Sequence, residues 1–202
     1  MIVLNPLLMI TYVVNKMKKT LIIHPKDDST DFLKEIYKDL PNTILIDFSL
    51  SKKDLKTLIN MCHRIIMLGH GSSNGLFDSL QKSYLIDSDL AEWLKNKECI
   101  GIWCYASEFA KKYNIPGFWS GMYISEISEI DYVPEVKNAC TCISVSHIQS
   151  DIENSNFRLT SILSRHLGSN TLDKALEELC GLGNEYYPVT KFNLSNIQIY
   201  GR

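Results

Sequence analysis

RIIMLGHGSSNG, residues 64–75, and ECIGIWCYAS, residues 98–107, decide how this chain is read. Each begins as an apolar run of strand length without polar alternation, the pattern of a strand buried on both faces in a parallel sheet covered by helices. The first strand, Arg64 to Leu68, runs straight into Gly69-His70-Gly71, and the second ends on Cys104. In open α/β sheets the reactive loops leave the carboxyl ends of strands. His70 and Cys104 both have that address. They lie 34 positions apart, about one crossover unit with a loop, so their strands are expected to be neighbours with converging side chains.

Working outward, short apolar runs alternate with amphipathic stretches. Thr20 to His24 reads as the first strand, and Thr43 to Phe48 as the second. Between them, Phe32, Leu33, Ile36, Tyr37 and Leu40 predict a helix over Asp31–Leu40, capped from Asp28, Ser29 or Thr30. Ser51, with Asp54 three residues on, opens a second helix that runs to about Cys62. Asp87–Lys97 and Tyr105–Asn114 read as further helices, and Gly117–Ile124 as a fifth apolar segment. Beyond it, His147–Leu167 and Leu172–Leu182 have helical periodicity, and Phe192–Tyr200 reads as a final strand. The fold class expected is α/β, a three-layer sandwich around a mostly parallel central sheet.

Composition narrows the function. The chain has 202 residues, 45% of them hydrophobic, and a net charge of −2, so nothing general attracts it to nucleic acid or an anionic membrane. Residues 1–16, MIVLNPLLMITYVVNK, are apolar but lack a charged leader region and are interrupted by Asn5, Pro6 and Asn15. They read as an upstream extension, with an extra edge strand or a weak membrane or export segment as the alternatives, and Met17 opens a single domain over residues 17–202. Six cysteines, several in apolar runs, do not form the framework of a small secreted domain, so a reducing, cytoplasmic setting is expected. Cys140-Thr141-Cys142 with His147 lacks the two-residue spacing of structural zinc sites and reads as a strand with two cysteines on one face.

A thiol with an ordinary pKa of about 8.5 is mostly protonated at neutral pH, and an adjacent imidazole can accept its proton. The pairing of His70 with Cys104 therefore carries more than either residue. Gly71 adds a main-chain N–H that a substrate can approach closely, and with the N–H of Cys104 it would form an oxyanion hole.

An apolar strand ending in His-Gly, a helix, then an apolar strand ending in Cys before a small-residue turn and another helix resembles the clan CD cysteine peptidases, which include caspases and CHAT-type proteases. The likeness covers roughly Thr20 to Glu129. It implies a caspase-like, Rossmann-like topology and a peptide or protein substrate, with no cofactor, metal, nucleic acid or membrane. It also implies that His70 is the catalytic histidine, Cys104 the nucleophile, and the backbones of Gly71 and Cys104 the oxyanion donors. The sequence departs from the caspase pattern around the nucleophile, where Trp103 precedes Cys104 and Tyr105, Ala106 and Ser107 follow.

In that family the strand after the nucleophile shapes the S1 pocket, which places Ser125, Glu126 and Glu129 there; a carboxylate facing the pocket would favour Arg or Lys at P1. His24, ending the first strand, is a further candidate for the same cleft. The competing reading is a non-catalytic Rossmann-like binding or interaction module with an incidental cysteine. Gly69–Ser73 is also similar to the His-Gly-Ser turn of small tetrapyrrole chelatases, although there the turn follows the first strand.

Overall fold

Alternation along the strands gives the central sheet two cores, one on each face. The computed structural model describes residues 19–169, 171–182 and 187–201; the proposed extension, residues 1–16, lies outside them. In β1 (Thr20–Ile23), β3 (Arg64–Leu68) and β7 (Glu98–Ile102), Leu21, Ile23, Ile65, Met67 and Cys99 face one side. There α1 (Lys52–Met61), α2 (Ser88–Leu94) and α3 (Ala106–Tyr113) cover them with Leu55, Ile59, Leu90, Leu94, Phe109 and Ala110. Ile22, Ile66, Leu68, Ile100 and Ile102 face the other side, under a 3-10 helix (Asp28–Ile36) and two helices from the C-terminal half, α5 (Val145–Ser169) and α6 (Leu172–Gly181).

The central sheet has six strands in the order β2-β1-β3-β7-β8-β9, with β2 at Thr43–Ile46, β8 at Gly117–Ser120 and β9 at Ile197–Tyr200. All pairs are parallel except β8 with β9. The fold is therefore α/β, with a mixed, mostly parallel sheet between helices on both faces. Because β2 and β3 lie on opposite sides of β1, the chain reverses direction between β1 and β3, the kind of switch point where open sheets leave a crevice.

Three local differences from the sequence expectation have physical causes. The helix expected at Asp31–Leu40 is a nine-residue 3-10 helix starting at Asp28. Its buried residues are Thr30, Leu33 and Ile36, spaced by three, and three residues per turn put them on one stripe. Asp27 caps it, accepting from the Ser29 N–H at 3.1 Å. Second, the segment after His70 is not a loop. It forms an antiparallel sheet of β4 (His70–Ser72), β5 (Gly75–Asp78) and β6 (Ser83–Ile86), whose strands are too short to show alternation.

Third, the Cys140-Thr141-Cys142 stretch is not a strand. Cys140 ends α4 (Pro134–Cys140), which has proline in its first turn and buries Val136 and Cys140 with Val133; spacings of three and four are helical. Cys142 is exposed. Likewise, only Ile197–Tyr200 of the expected final strand is extended, because α7 (Pro188–Ser195) precedes it. Buried Asp151 caps α7 from α5 (Val145–Ser169), accepting from the N–H groups of Val189 at 2.8 Å and Thr190 at 3.0 Å. Among the described residues no helix is long and apolar enough to cross a membrane.

Candidate functional site

Cys104 stands two residues beyond the end of β7 and immediately before the turn into α3. Trp103 points into the core beside α3, its ring edge-on to Phe109 and Trp119. Tyr105 then adopts a left-handed conformation, φ 65° and ψ 26°, and its N–H is anchored to the Gly121 carbonyl at 2.9 Å. A non-glycine residue there stores about 1 kcal/mol or more of strain, a feature that gathers at functional sites. The tight strand–turn–helix holds Cys104 half-buried, its thiol donating to the Tyr123 carbonyl at 3.4 Å. Its amide N–H meets no protein acceptor among the described residues. Burial pushes the thiol up to about 11, and the negative charge of Glu129 adds to the effect.

His70 opens β4 and lies at the switch point with the turn that follows β1. Its Nε2 is 2.7 Å from the Ser29 hydroxyl, which donates to Asp27 Oδ1 at 2.6 Å. Ser79 donates to the other carboxylate oxygen at 2.7 Å, and His70 Nε2 itself is 3.6 Å from Asp27 Oδ1. Burial opposes ionisation of Asp27, but hydrogen bonds from Ser29 and Ser79, with His70 nearby, outweigh it and hold the carboxyl at about 2.

His70 and Cys104 line one cleft, between the 3-10 helix on one side and the segment after β8 on the other. The cavity is about 20 Å³, space for a single water rather than a peptide side chain. Phe32 stacks on Tyr123 beside it, with ring centroids 6.4 Å apart. The far wall is pinned from behind. Asn193, fully buried in α7, accepts from the Ile124 N–H at 2.7 Å and donates to the Ile124 carbonyl at 2.8 Å. The Tyr123 hydroxyl reaches Asn156 at 3.1 Å.

The other expected residues separate into two groups. Ser125 and Glu129 line the cleft. Glu129 Oε2 accepts from the Ser125 N–H at 2.6 Å, the Ser125 hydroxyl at 3.0 Å and the Glu126 N–H at 3.1 Å. Glu126 is exposed, and its side chain caps the 3-10 helix Ile127–Tyr132 rather than facing the cleft. His24 is 3% exposed and faces inward, its ring nitrogens 3.0 Å from the Tyr37 hydroxyl and 3.4 Å from that of Thr30. It ties the 3-10 helix to β1. Gly71 lies over the Trp103 indole, where a Cβ would overlap the ring.

Asp27 and Ser79 do not figure in the sequence expectations, and Ser29 figures there only as a possible helix cap, not as a partner of His70. One signal for Asp27 and Ser29 exists: they follow the carboxyl end of β1, the strand beside that of His70. Ser79 carries no such signal, since only the antiparallel β4–β6 sheet brings it back to Asp27. No protein-family model matches the chain, and no curated protein or solved structure is significantly similar to it.

Proposed function

We propose that this chain is a cytoplasmic, caspase-like cysteine endopeptidase, with Cys104 as nucleophile and His70 as general acid and base. One juxtaposition carries the reading: the two residues leave the carboxyl ends of neighbouring parallel strands, β3 and β7, and line the same cleft. The strand order around them supports a caspase-like topology, and six free cysteines suit a reducing compartment.

The chemistry balances without a cofactor. His70 takes the thiol proton as Cys104 Sγ bonds to the scissile carbonyl carbon, and the oxyanion is held by the N–H groups of Cys104 and Gly71. The C–N bond breaks as His70 returns the proton to the leaving amine. A water, deprotonated by His70, then hydrolyses the thioester and restores the thiol. For the substrate, Glu129 is the acid that suits a basic P1 residue. Among the described residues its three hydrogen bonds fall on Oε2, leaving Oε1 for a guanidinium or ammonium group.

The raised thiol and the small volume of the cleft favour a second reading, a binding or interaction module without catalysis. An acyloxymethyl ketone with Arg at P1 separates the two, applied to protein in which the exposed Cys142 and Cys180 are replaced by Ser. A peptidase labels at Cys104, and the label disappears in His70→Ala. Labelling that ignores His70, or none at all, leaves the binding module.

A further inference from the structure

We infer that Asp27, acting through Ser29, holds His70 as the tautomer protonated on Nε2 and so reserves Nδ1 as the nitrogen that takes the Cys104 proton; this rests on the peptidase reading of the site. Proton counting carries it. A serine hydroxyl has one hydrogen to give. Asp27 Oδ1, an ionised carboxylate oxygen 2.6 Å from Ser29 Oγ, can only accept, so the Ser29 proton lies between these two atoms. Ser29 Oγ is also 2.7 Å from His70 Nε2. With its hydrogen committed, it can only accept there, and the imidazole must supply the proton. A neutral imidazole carries one N–H, so Nδ1 keeps its lone pair.

The anchor is fixed on every side. Asp27 Oδ1 also accepts the Ser29 N–H at 3.1 Å, and Oδ2 is occupied by Ser79 at 2.7 Å. The carboxylate therefore cannot rotate away without losing the cap of the 3-10 helix. After proton transfer the imidazolium would face Asp27 Oδ1 across 3.6 Å, which stabilises the charged form of His70 during the reaction. Asp27 and Ser29 are positioning residues here, since neither touches the reacting atoms. The carboxylate reaches the histidine by way of a hydroxyl supplied two residues along the same turn.

The test reads the ring nitrogens of His70 directly. In ¹⁵N-labelled full-length protein at a pH of about 8, where an ordinary imidazole is neutral, the signal absent from His70→Ala should show a protonated Nε2 and an unprotonated Nδ1. Its Nε2–H proton should exchange slowly. Ser29→Ala keeps the backbone bond to Asp27 and hence the helix cap, but it should lose the slowly exchanging proton and average the two nitrogen shifts. Ser29→Thr should restore both, and Asp27→Asn, whose carbonyl can still accept from Ser29, should keep the tautomer. Labelling of Cys104 by the Arg-directed ketone should slow about tenfold or more in Ser29→Ala and recover in Ser29→Thr.

A wild-type ring protonated on Nδ1, or ring signals indifferent to Ser29→Ala, would overturn the inference. If labelling of Cys104 is unaffected by His70→Ala, the peptidase reading falls, and the ring signals still decide the tautomer on their own.

Discussion

The indole N–H of Trp103 donates to the Ser72 carbonyl at 3.0 Å, so the residue before Cys104 holds the hairpin that begins with His70. Gly71 permits this contact, because a side chain there would overlap the Trp103 ring. Trp103→Phe keeps most of the packing and removes the bond, leaving a carbonyl without its partner. It should destabilise the protein by about 1 to 2 kcal/mol. Gly71→Ala should cost about 1 to 3 kcal/mol through overpacking. In urea unfolding, the double variant Gly71→Ala/Trp103→Leu should lose less stability than the two single changes added together, because the second removes the ring that the first would overlap, while the overlap with the Gly75 carbonyl remains in both backgrounds. Strict additivity would mean that the two residues are not coupled.

His24 makes stability depend on pH above the carboxylate range. Burial lowers its pKa from 6.5 to about 4, with Lys34 adding to the effect. Below 6.5 the unfolded chain binds a proton that the folded chain refuses, so stability should fall as pH drops from 6.5 to 4. At 1.36 kcal/mol per pH unit the loss approaches about 3 kcal/mol. His24→Gln should flatten the profile across this window. Asp27 acts in the same sense but lower down: its carboxyl, held at about 2 instead of 3.8, contributes stability that is lost as pH falls through that interval. Unfolding midpoints measured at intervals across the acidic range separate the two.

The strands that carry His70 and Cys104 are legible in the sequence because they are buried on both faces, and an uninterrupted apolar run ending in a glycine turn or a helix start has few other readings. Helix α1 is equally plain: Ser51 accepts from the Asp54 N–H at 3.2 Å, as the capping pattern predicts. The support of the site is not legible. Ser29 reaches His70 across 41 positions, and Ser79 reaches Asp27 across 52; the place of Ser29 just after β1 hints at a role, and Ser79 has no such sign. The 3-10 helix is hidden for another reason. Phe32, Tyr37 and Leu40 pack partly against the core and imitate an α-helical stripe, while the fully buried residues follow a period of three.

Asn193 controls the cleft from behind. It closes two hydrogen bonds on Ile124 and a third on Ser155, at 2.9 Å, all in the interior. Asn193→Ala strands the N–H and carbonyl of Ile124 away from water and should cost about 2 to 4 kcal/mol. Because Tyr123 and Ser125 flank Ile124, the same change should loosen the cleft wall. Amide hydrogen exchange over residues 121–125 should speed up more than exchange in β3 or β7. Uniform acceleration everywhere would instead mark a general loss of stability.

Glu129 should affect Cys104 in two opposite directions, depending on the reagent. Burial chiefly accounts for the thiol standing at about 11, and the Glu129 carboxylate raises it further. Glu129→Gln retains an oxygen to accept from Ser125 and Glu126 but removes the charge. The thiol pKa should therefore fall, and a neutral reagent such as iodoacetamide should alkylate Cys104 about two- to threefold faster at pH 8. A ketone with Arg at P1 loses its ion-pair partner in the same variant and should label more slowly, while one with Leu at P1 should not. Mass spectrometry of the Cys104 peptide follows all three reactions, with exposed Cys142 and Cys180 as fast-reacting internal references. If both ketones change alike, Glu129 influences the thiol alone and has no part in choosing the P1 residue.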